Sequence, residues 1–292
     1  GHGRTGTVKL RGYVSQGLIL SLPDGKWRAG DDVAAAMGIT KWAPPEPKYS
    51  IRGSNQVSKK KMNPMFSKYT EIENIKNYPD IFKDGDMVVI TEKIHGANFR
   101  AGMLEIFIDP HQPILYRVAS WWKKYILRQT HEFVYGSHNV QISYHNARNS
   151  FYGDDVWGKI SKAFDLAHII PPGFIVYGEV YGEGIQDLTY GRKGIDLAIF
   201  DIKKDGVYLD WMEVKRLCRD WNIPVVPELY CGTYNRDCLK LTDGKSLKHP
   251  EQMREGVVVK TVIEANHPAI GRKILKSVSA DYLTRKGATE YQ

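Results

Sequence analysis

The feature that most constrains this chain is a set of strand-sized apolar segments, each with a charged residue beside it. An unpaired charge inside a buried strand costs on the order of several kcal/mol. Either each charge therefore lies at a strand end in water, or the charges line one polar pocket on a sheet, and the sequence leaves both interpretations open. The charged residues are Lys93, Glu179, Asp201, Glu255 and Lys276.

Composition and charge narrow the class of protein. Apolar residues make up 42% and charged residues 25% of the chain, as in ordinary folded domains, and no apolar run reaches the roughly 18 residues of a membrane span. The net charge of +8 (41 − 33) suits either a polyanionic partner or a basic surface kept for solubility. Three cysteines without a C-x-x-C pair favour a reducing, intracellular and cytoplasmic setting.

The spacing of apolar residues predicts a mixed α+β fold. A helix over 119–135 would place Trp122, Tyr125, Ile126 and Phe133 near one face, and we assign those side chains to the core. The predicted strands are 87–92, 174–180, 197–202, 256–260 and 272–278, and the other predicted helices are 156–167, 212–221 and 280–286.

The first seventy residues differ from the rest. Residues 48–68 are polar and basic, include three consecutive lysines and predict a linker. We therefore expect an N-terminal module with its linker over 1–70 and a larger domain over 71–292. Two short strands and a short helix are predicted within the module, at 8–10, 18–20 and 33–37.

The sharpest chemical signal is the string Lys93-Ile94-His95-Gly96. A lysine that ends an apolar strand and is followed by a glycine turn can approach a phosphate. Lysine is nucleophilic only when it is neutral, and partial burial or nearby positive charge favours that form. The pattern K-x-x-G is common, so a catalytic lysine and an ordinary strand-end lysine both stay open on these residues alone.

Five strings in order give the chain a family resemblance. The string at Lys93 resembles motif I of the covalent nucleotidyltransferases, which comprise RNA ligases, DNA ligases and mRNA capping enzymes, and residues 92–99 are similar to the RNA ligase branch. Together the five strings span 87–283 and identify the chain as a member of this superfamily. The strings that resemble motifs III, IIIa, IV and V are Tyr177-Gly178-Glu179 with Gly182, Ile199-Phe200-Asp201-Ile202, residues 254–260, and Lys276 with Ser279 and Tyr282-Leu283.

The N-terminal residues carry a second resemblance. Residues 8–17 and 38–42 resemble the N-terminal OB module of the Deinococcus and Naegleria type of nick-sealing RNA ligase, also called RNA ligase family 5. The resemblance implies an ATP-grasp-like nucleotidyltransferase domain of antiparallel sheets with flanking helices, preceded by a small β-rich OB-type module. Fewer strands are predicted before residue 70 than a five-stranded OB fold needs, which implies a reduced or incomplete module.

The resemblance implies an ATP-dependent reaction in three steps. Lys93 would attack the α-phosphate of ATP and carry AMP, the AMP would pass to a 5′-phosphate of RNA, and a 3′-OH would displace it and seal the strand. Catalysis of this kind is positioning and charge neutralisation of an in-line displacement. The implied cofactors are ATP and Mg²⁺ or Mn²⁺. The implied partner is a nicked duplex with RNA on the 3′-OH side, with no membrane, and we expect a monomer.

The motifs also imply roles for individual residues. Glu179 would contact the ribose or a metal-bound water, and Glu255 would orient the hydrated metal. Phe200 would stack on adenine, while Lys260 and Lys276 would neutralise phosphates. The remaining implied nucleotide contacts are Glu92, Asn98, His138 and Asp201, and His95 would complete the metal site through water.

Three positions depart from the family pattern. His95 stands where many relatives have aspartate, which leaves open a role toward metal-bound water or a role in the RNA-joining steps. His138 stands where arginine is expected. Ile274 stands where a second motif V lysine is common, and Lys273 or Arg272 could compensate.

Two other classes of function compete with an RNA ligase. A DNA ligase or capping guanylyltransferase normally carries an OB domain after motif V, whereas 16 residues (292 − 276) follow Lys276 in this chain. A non-catalytic nucleic-acid-binding module would not need the charged residues of motifs I, III, IV and V together. Covalent labelling by ATP, by GTP or by neither separates the three classes.

Overall fold

The computed structural model describes residues 8–10, 13–15, 19–39, 63–108, 110, 114–142 and 155–285. The chain divides into two compact units, residues 1–59 and residues 60–291. Each unit is described by itself below.

The first unit contains an antiparallel pair of short strands, β1 (Val8–Leu10) and β2 (Tyr13–Ser15). The strand predicted at 8–10 is confirmed, but Ile19 and Leu20 of the second predicted strand lie in irregular structure. Successive turns replace the short helix predicted over 33–37. Most of the predicted linker lies outside the described residues, and the OB-type module stays a prediction.

The second unit is built from antiparallel strands and a few short helices. Its strands are β3 (Glu73–Asn74), β4 (Met87–Lys93), β5 (Ala97–Glu105), β6 (His131–Gly136), β7 (Gln141–Ile142), β8 (Phe174–Gly182), β9 (Ile195–Lys204), β10 (Val207–Tyr208), β11 (Glu228–Thr233), β12 (Gly256–Thr261), β13 (Asn266–His267), β14 (Gly271–Arg272) and β15 (Ile274–Val278). Its helices are α1 (Ile114–Trp121), followed by a π-helical segment (Trp122–Ile126), α2 (Val156–Ala163), α3 (Leu166–Ile169), α4 (Trp211–Asp220) and α5 (Ala280–Leu283), with 3₁₀ segments at Ile75–Asn77 and Arg236–Thr242. The mixed α+β class is as predicted.

One predicted helix is wrong. Residues 119–135 were expected to form a single helix, but helical structure runs from 114 to 126 and residues 131–136 form strand β6. Arg128 has a positive φ of 54°, which interrupts the right-handed helix. The following residues then pair along β5, where alternate side chains of β6 can be buried.

Two sheets organise the second unit. A six-stranded sheet has the order β10-β9-β8-β5-β6-β7, and a five-stranded sheet has the order β11-β4-β12-β15-β3. Neighbouring strands are antiparallel except β15 and β3, which are parallel. The strands on which motifs I, III, IIIa, IV and V lie are β4, β8, β9, β12 and β15, so the motifs meet on two sheets.

The two sheets pack against each other through apolar clusters, one of which lies between β8 and the strands β12 and β15. Leu104, Ile175 and Tyr177 of the six-stranded sheet join Ile274 and Val258 of the five-stranded sheet in that cluster. A larger cluster lies where α2 and α4 contribute Ile160 and Leu217, and a third one includes Ile90 and Leu275. None of the helices in the described ranges combines the length and the apolar character that a membrane span requires.

Candidate active site

Lys93 is the last residue of β4, where the strand meets the motif IV strand. Gly256 of β12 pairs with Lys93, so Glu255 lies beside the end of β4. The Lys93 Nζ atom is 2.7 Å from Glu255 Oε1, and the lysine side chain is 29% exposed. The structure thus pairs the motif I amine with the motif IV carboxylate and leaves the amine accessible from solvent.

Glu179 reaches the same turn because Gly96 packs directly on β8. A Cβ atom at Gly96 would lie 2.2 Å from the Val180 carbonyl oxygen and 2.9 Å from Glu179 Cγ, so a larger residue does not fit without a shift. The Gly96 N–H donates a hydrogen bond to the Glu179 carboxylate. Burial, helped by the Glu255 carboxylate, raises the pKa of Glu179 to about 8 against the opposing effect of Lys93.

Two buried oxygens beside these residues have no hydrogen-bond partner among the residues that the structure describes. Asn98 of β5 lies directly opposite Glu179 in the ladder, and its Oδ1 is buried and unpartnered. The Oε2 atom of Glu255 is also buried without a hydrogen bond. Since an unsatisfied buried oxygen costs free energy, both atoms favour a polar ligand in this place.

Lys276 shares a sheet face with Lys93. Lys93 of β4 pairs with Gly256 of β12. Two residues earlier on β4, Thr91 pairs with Val258 of β12, and Val258 pairs in turn with Lys276 of β15. Alternate residues of a strand point to the same face, so both lysines lie on one face, one row apart. This is the face on which Val258 packs toward the six-stranded sheet. Two cations and two carboxylates therefore lie close to the end of β4, where the two sheets meet.

This donor set fits a divalent metal held through water. Among the described residues, no group of three or more His, Cys, Asp and Glu side chains is placed to ligate a metal ion directly. Glu179 and Glu255 present carboxylate oxygens, which are the ligands that Mg²⁺ and Mn²⁺ accept, and Mg²⁺ usually keeps several of its own waters.

His95 is held by protein groups at both ring nitrogens. Its Nε2 lies 2.8 Å from Asp187 Oδ1, and its Nδ1 lies 2.8 Å from the Tyr282 hydroxyl. Arg285 donates two hydrogen bonds to Asp187 and stacks over the Tyr282 ring, with its guanidinium carbon 3.7 Å from the ring centroid. Both nitrogens are therefore engaged by protein groups, and Nδ1 also lies 3.8 Å from Glu255 Oε2, so the contact of His95 with metal-bound water stays a prediction.

Glu92 points away from Lys93, because neighbouring residues of a strand face opposite sides. Its Oε2 accepts a hydrogen bond of 2.8 Å from the Leu247 N–H, and its Oε1 is buried without a partner. The side chain is 1% exposed. The structure places Glu92 behind the site, where it ties β4 to the loop before motif IV.

Asp201 and Lys260 belong to a separate buried ionic cluster. Lys260 Nζ is 3.0 Å and Arg272 Nη2 is 2.7 Å from the Asp201 carboxylate, and Tyr69 donates a hydrogen bond to it. Glu264 forms a further ion pair with Arg272. Lys260 pairs with Val89, four residues before Lys93, which separates the two rows by about 13 Å. The geometry joins these charges to each other and does not bring them to Lys93.

Phe200 lies in β9, inside the six-stranded sheet, and His138 lies between β6 and β7. Phe200 is the extra residue of a β-bulge, since Asp201 pairs with Tyr177 while Ile199 pairs with Gly178. The centroid of its ring lies 4.8 Å from the centroid of the Tyr69 ring in an edge-on arrangement, and the side chain is only partly buried. His138 follows β6, where burial and then Lys68 and Arg100 lower its pKa.

The family was tested by comparison with known proteins. The RNA ligase family model matches residues 86–278, which is more than half of the chain. The chain belongs to the RNA ligase family.

Solved structures of Naegleria gruberi RNA ligase share the fold of this family member. An apo mutant superposes with a TM-score of 0.65 at 24% identity, covering 96% of this chain and 75% of that one. A mutant with ATP and Mn gives 0.66 at 24% identity, covering 96% and 76%. The enzyme with PPi gives 0.64 at 25% identity, covering 96% and 75%. No curated protein matches the chain.

Sequence reasoning missed part of the site of this RNA ligase family member. Asp187 and Arg285 belong to none of the motifs. They are hydrogen-bonded to each other although they lie 98 residues apart in the sequence, so no local pattern indicates the contact. Tyr190, whose hydroxyl accepts a 2.7 Å hydrogen bond from the His95 N–H, was not singled out either. The available signal was the presence of polar residues in the segments that follow β8 and β15 in the chain, where these three residues lie.

Proposed function

We propose that this RNA ligase family member is ATP-dependent and joins RNA 3′-OH and 5′-phosphate ends through a covalent lysyl-AMP intermediate on Lys93. The observation that carries the proposal is the Lys93 amine held 2.7 Å from Glu255, with Glu179 beside it. The ligands named for the Naegleria gruberi enzyme, ATP with Mn and PPi, match the substrate and the leaving group of such a reaction.

The first step needs a neutral amine. Glu255 Oε1, at 2.7 Å, is placed to accept a proton from Lys93 Nζ. The amine then forms a bond to the α-phosphorus of ATP while the bond between that phosphorus and the bridging oxygen breaks, and pyrophosphate leaves. Positioning and charge neutralisation drive this displacement. Lys276, on the same sheet face, supplies positive charge toward the α-phosphate.

The residues present fit Mg²⁺ or Mn²⁺. Glu179 and Glu255 would hold the ion through water, and the bound ion would neutralise negative charge on the phosphates. Asn98 Oδ1, buried and unpartnered opposite Glu179, would accept a hydrogen bond from the nucleotide or from a water beside it. Phe200, exposed in part at its bulge, would stack on adenine.

The later steps complete the proposal. AMP passes from Lys93 to a 5′-phosphate of RNA, and a 3′-OH then attacks that phosphorus and releases AMP. We propose a nicked duplex with RNA on the 3′-OH side as the substrate, a monomeric chain and a cytoplasmic setting. The three cysteines, all free, are compatible with a reducing environment.

Labelling with ATP tests the proposal directly. Incubation with α-labelled ATP and Mg²⁺ should place one label on Lys93, and Lys93→Ala should remove it. Lys83→Ala, which truncates an exposed lysine before β4, is the matched control and should label as the parent chain does. Labelling by GTP alone would favour a capping enzyme, and labelling by neither would favour a binding module.

Substrate choice is tested with two nicks. A nick with RNA on the 3′-OH side should be sealed efficiently, whereas an all-DNA nick of the same sequence should be sealed poorly. Equal sealing of the two would contradict the proposed substrate while leaving the lysyl-AMP chemistry intact.

A further inference from the structure

The segment from Ile114 to Arg128, here called the aromatic segment, presents large apolar side chains to solvent. It was expected to contribute to the core, but Trp122 is 52% and Tyr125 is 58% exposed. Trp121 is 48% exposed and lies against Tyr125, with ring centroids 5.6 Å apart. Ordinary monomeric surfaces rarely leave such a patch uncovered unless it binds something.

The charge of the aromatic segment identifies the chemistry of a partner. Four cationic residues and no carboxylate lie between 114 and 128. Lys124 forms an ion pair with Glu105, 2.7 Å away. The other three cations have no ion pair with any described residue: they are Arg117, Lys123 and Arg128. An apolar surface of this kind fits a polyanion that also has flat apolar groups.

We propose that the aromatic segment is a docking surface for the RNA substrate, away from the site of joining. The inference rests on the proposed function, which supplies RNA as a polyanion with stackable bases. Aromatic side chains stack on bases, and neighbouring lysine or arginine side chains neutralise phosphates. Trp121, Trp122 and Tyr125 are the stacking groups, and Lys123 and Arg128 contact the backbone.

The position of the aromatic segment in the fold determines how far from the break the RNA would be bound. Asn98 and Glu105 lie seven residues apart on β5, and Lys124 is tied to Glu105 at the far end of that strand. A strand rises about 3.4 Å per residue, so the contact between Lys124 of the aromatic segment and Glu105 lies roughly 24 Å from the row of Glu179. This distance corresponds to about seven base pairs at the rise of B-form duplex, and to slightly more in A-form RNA, which rises less per base pair. The surface should therefore bind one arm of a nicked RNA and not its break.

The experiment compares two variants with matched controls in the full chain. Trp122→Ala should raise the KM for sealing of nicked RNA about tenfold, since one stacking contact is lost. Lys123→Glu should raise it as well and should make binding less dependent on salt. Met212→Ala and Lys83→Glu remove an exposed apolar group and reverse an exposed charge elsewhere, and both should leave KM unchanged. Lys93 labelling by ATP should be equal in all five proteins, because that step needs no RNA.

Shortening the substrate sharpens the test. Two nicked RNAs are prepared, each with one arm reduced to about four base pairs and closed by a hairpin. When the contacted arm is the short one, parent and Trp122→Ala should have the same KM. When the other arm is the short one, the difference in KM should remain. An unchanged KM for both variants would overturn the proposal. So would a KM difference that is independent of the lengths of both arms.

Other occupants of the surface give different results. Binding of the parent chain to anionic lipid vesicles, lost in Trp122→Ala with no change in KM, would assign the segment to a membrane surface. If Trp122→Ala loses self-association at unchanged KM, the segment binds a second copy of the chain. If it only has a lower melting temperature at unchanged KM, the segment packs against the chain itself. Each of these results overturns RNA docking. Absence of ATP labelling in the parent chain would instead refute the proposed function.

Discussion

At the scale of single residues, the motif I turn is held by an ordered set of hydrogen bonds. Burial acts to raise the pKa of Asp187, but the hydrogen bonds from Arg285 and His95 outweigh it and hold that pKa well below its usual range. An ionised Asp187 only accepts hydrogen bonds, so the His95 proton is assigned to Nε2. In the neutral ring, which burial favours by lowering the pKa of His95, Nδ1 is then left to accept from Tyr282.

This arrangement makes Asp187 a positioning residue that acts through His95. Asp187→Asn should lower the rate of RNA sealing about tenfold or more, because the amide can bind either tautomer and releases Arg285. In a His95→Ala background the same substitution should have little further effect, since residues that act as a unit are not additive. The two single variants and the double variant are compared by sealing rate at equal folded concentration. Additive losses would mean that Asp187 acts independently of His95.

The raised pKa of Glu179 gives a pH dependence of stability. The folded chain keeps a proton up to about pH 8, whereas the unfolded chain releases it near 4.5, so this carboxyl destabilises the fold progressively as the pH rises between those values. Glu179→Gln cannot ionise. In metal-free buffer the melting temperature of Glu179→Gln minus that of the parent should therefore increase from about pH 5 to about pH 8. A difference that stays flat would show that Glu179 titrates normally.

At the scale of secondary structure, the sequence predicted the strands that carry the motifs, but it did not predict β5, β6 or β11, and one of its larger helices was wrong. The strands with motif residues are where the apolar runs indicated, since β4, β8, β9 and β12 are buried on both faces. The helix over 119–135 failed because an aromatic run at helical spacing is followed directly by strand β6, and spacing alone does not mark that boundary. Whether its aromatic residues are buried depends on what packs over them, which one sequence does not reveal.

Because the motif I turn packs closely on β8, adding one methyl group at Gly96 should disturb the turn. Gly96→Ala should push the turn away from Val180 and Glu179, and so should lower both the Lys93 labelling rate and the melting temperature. Gly206→Ala is the control. Gly206 has a φ of 86° and no atom within 4 Å of an added Cβ, so that variant should lose some stability through backbone strain and label normally. Normal labelling of Gly96→Ala would show that the contact with β8 is not required.

At the scale of the whole second unit, the two sheets are joined by charge as well as by apolar packing. Asp201 of β9 belongs to the six-stranded sheet, Lys260 of β12 to the five-stranded sheet, and Arg272 of β14 to the hairpin before β15. Burial acts to raise the pKa of Asp201, but Lys260 and then Arg272 overcome it, so the carboxyl stays ionised. The sequence offered a lone aspartate beside an apolar strand, and no local pattern could reveal which distant cations neutralise it.

The ionic cluster predicts a large effect on stability with a small effect on chemistry. Asp201→Asn removes the fully buried carboxylate from Lys260 and Arg272 and leaves them only the partly exposed Glu264, so it should lower the free energy of unfolding by about 3–5 kcal/mol. Asp220→Asn, at an exposed acid at the end of α4, should change it by less than about 1 kcal/mol. Denaturant unfolding measures both, and ATP labelling of Lys93 is then measured at a temperature where each variant is folded. Because the cluster lies about 13 Å from the row of Lys93, folded Asp201→Asn should still be labelled. If instead it is as stable as the parent but no longer labelled, Asp201 positions the nucleotide or Lys93, as the family motif implies, and does not join the sheets.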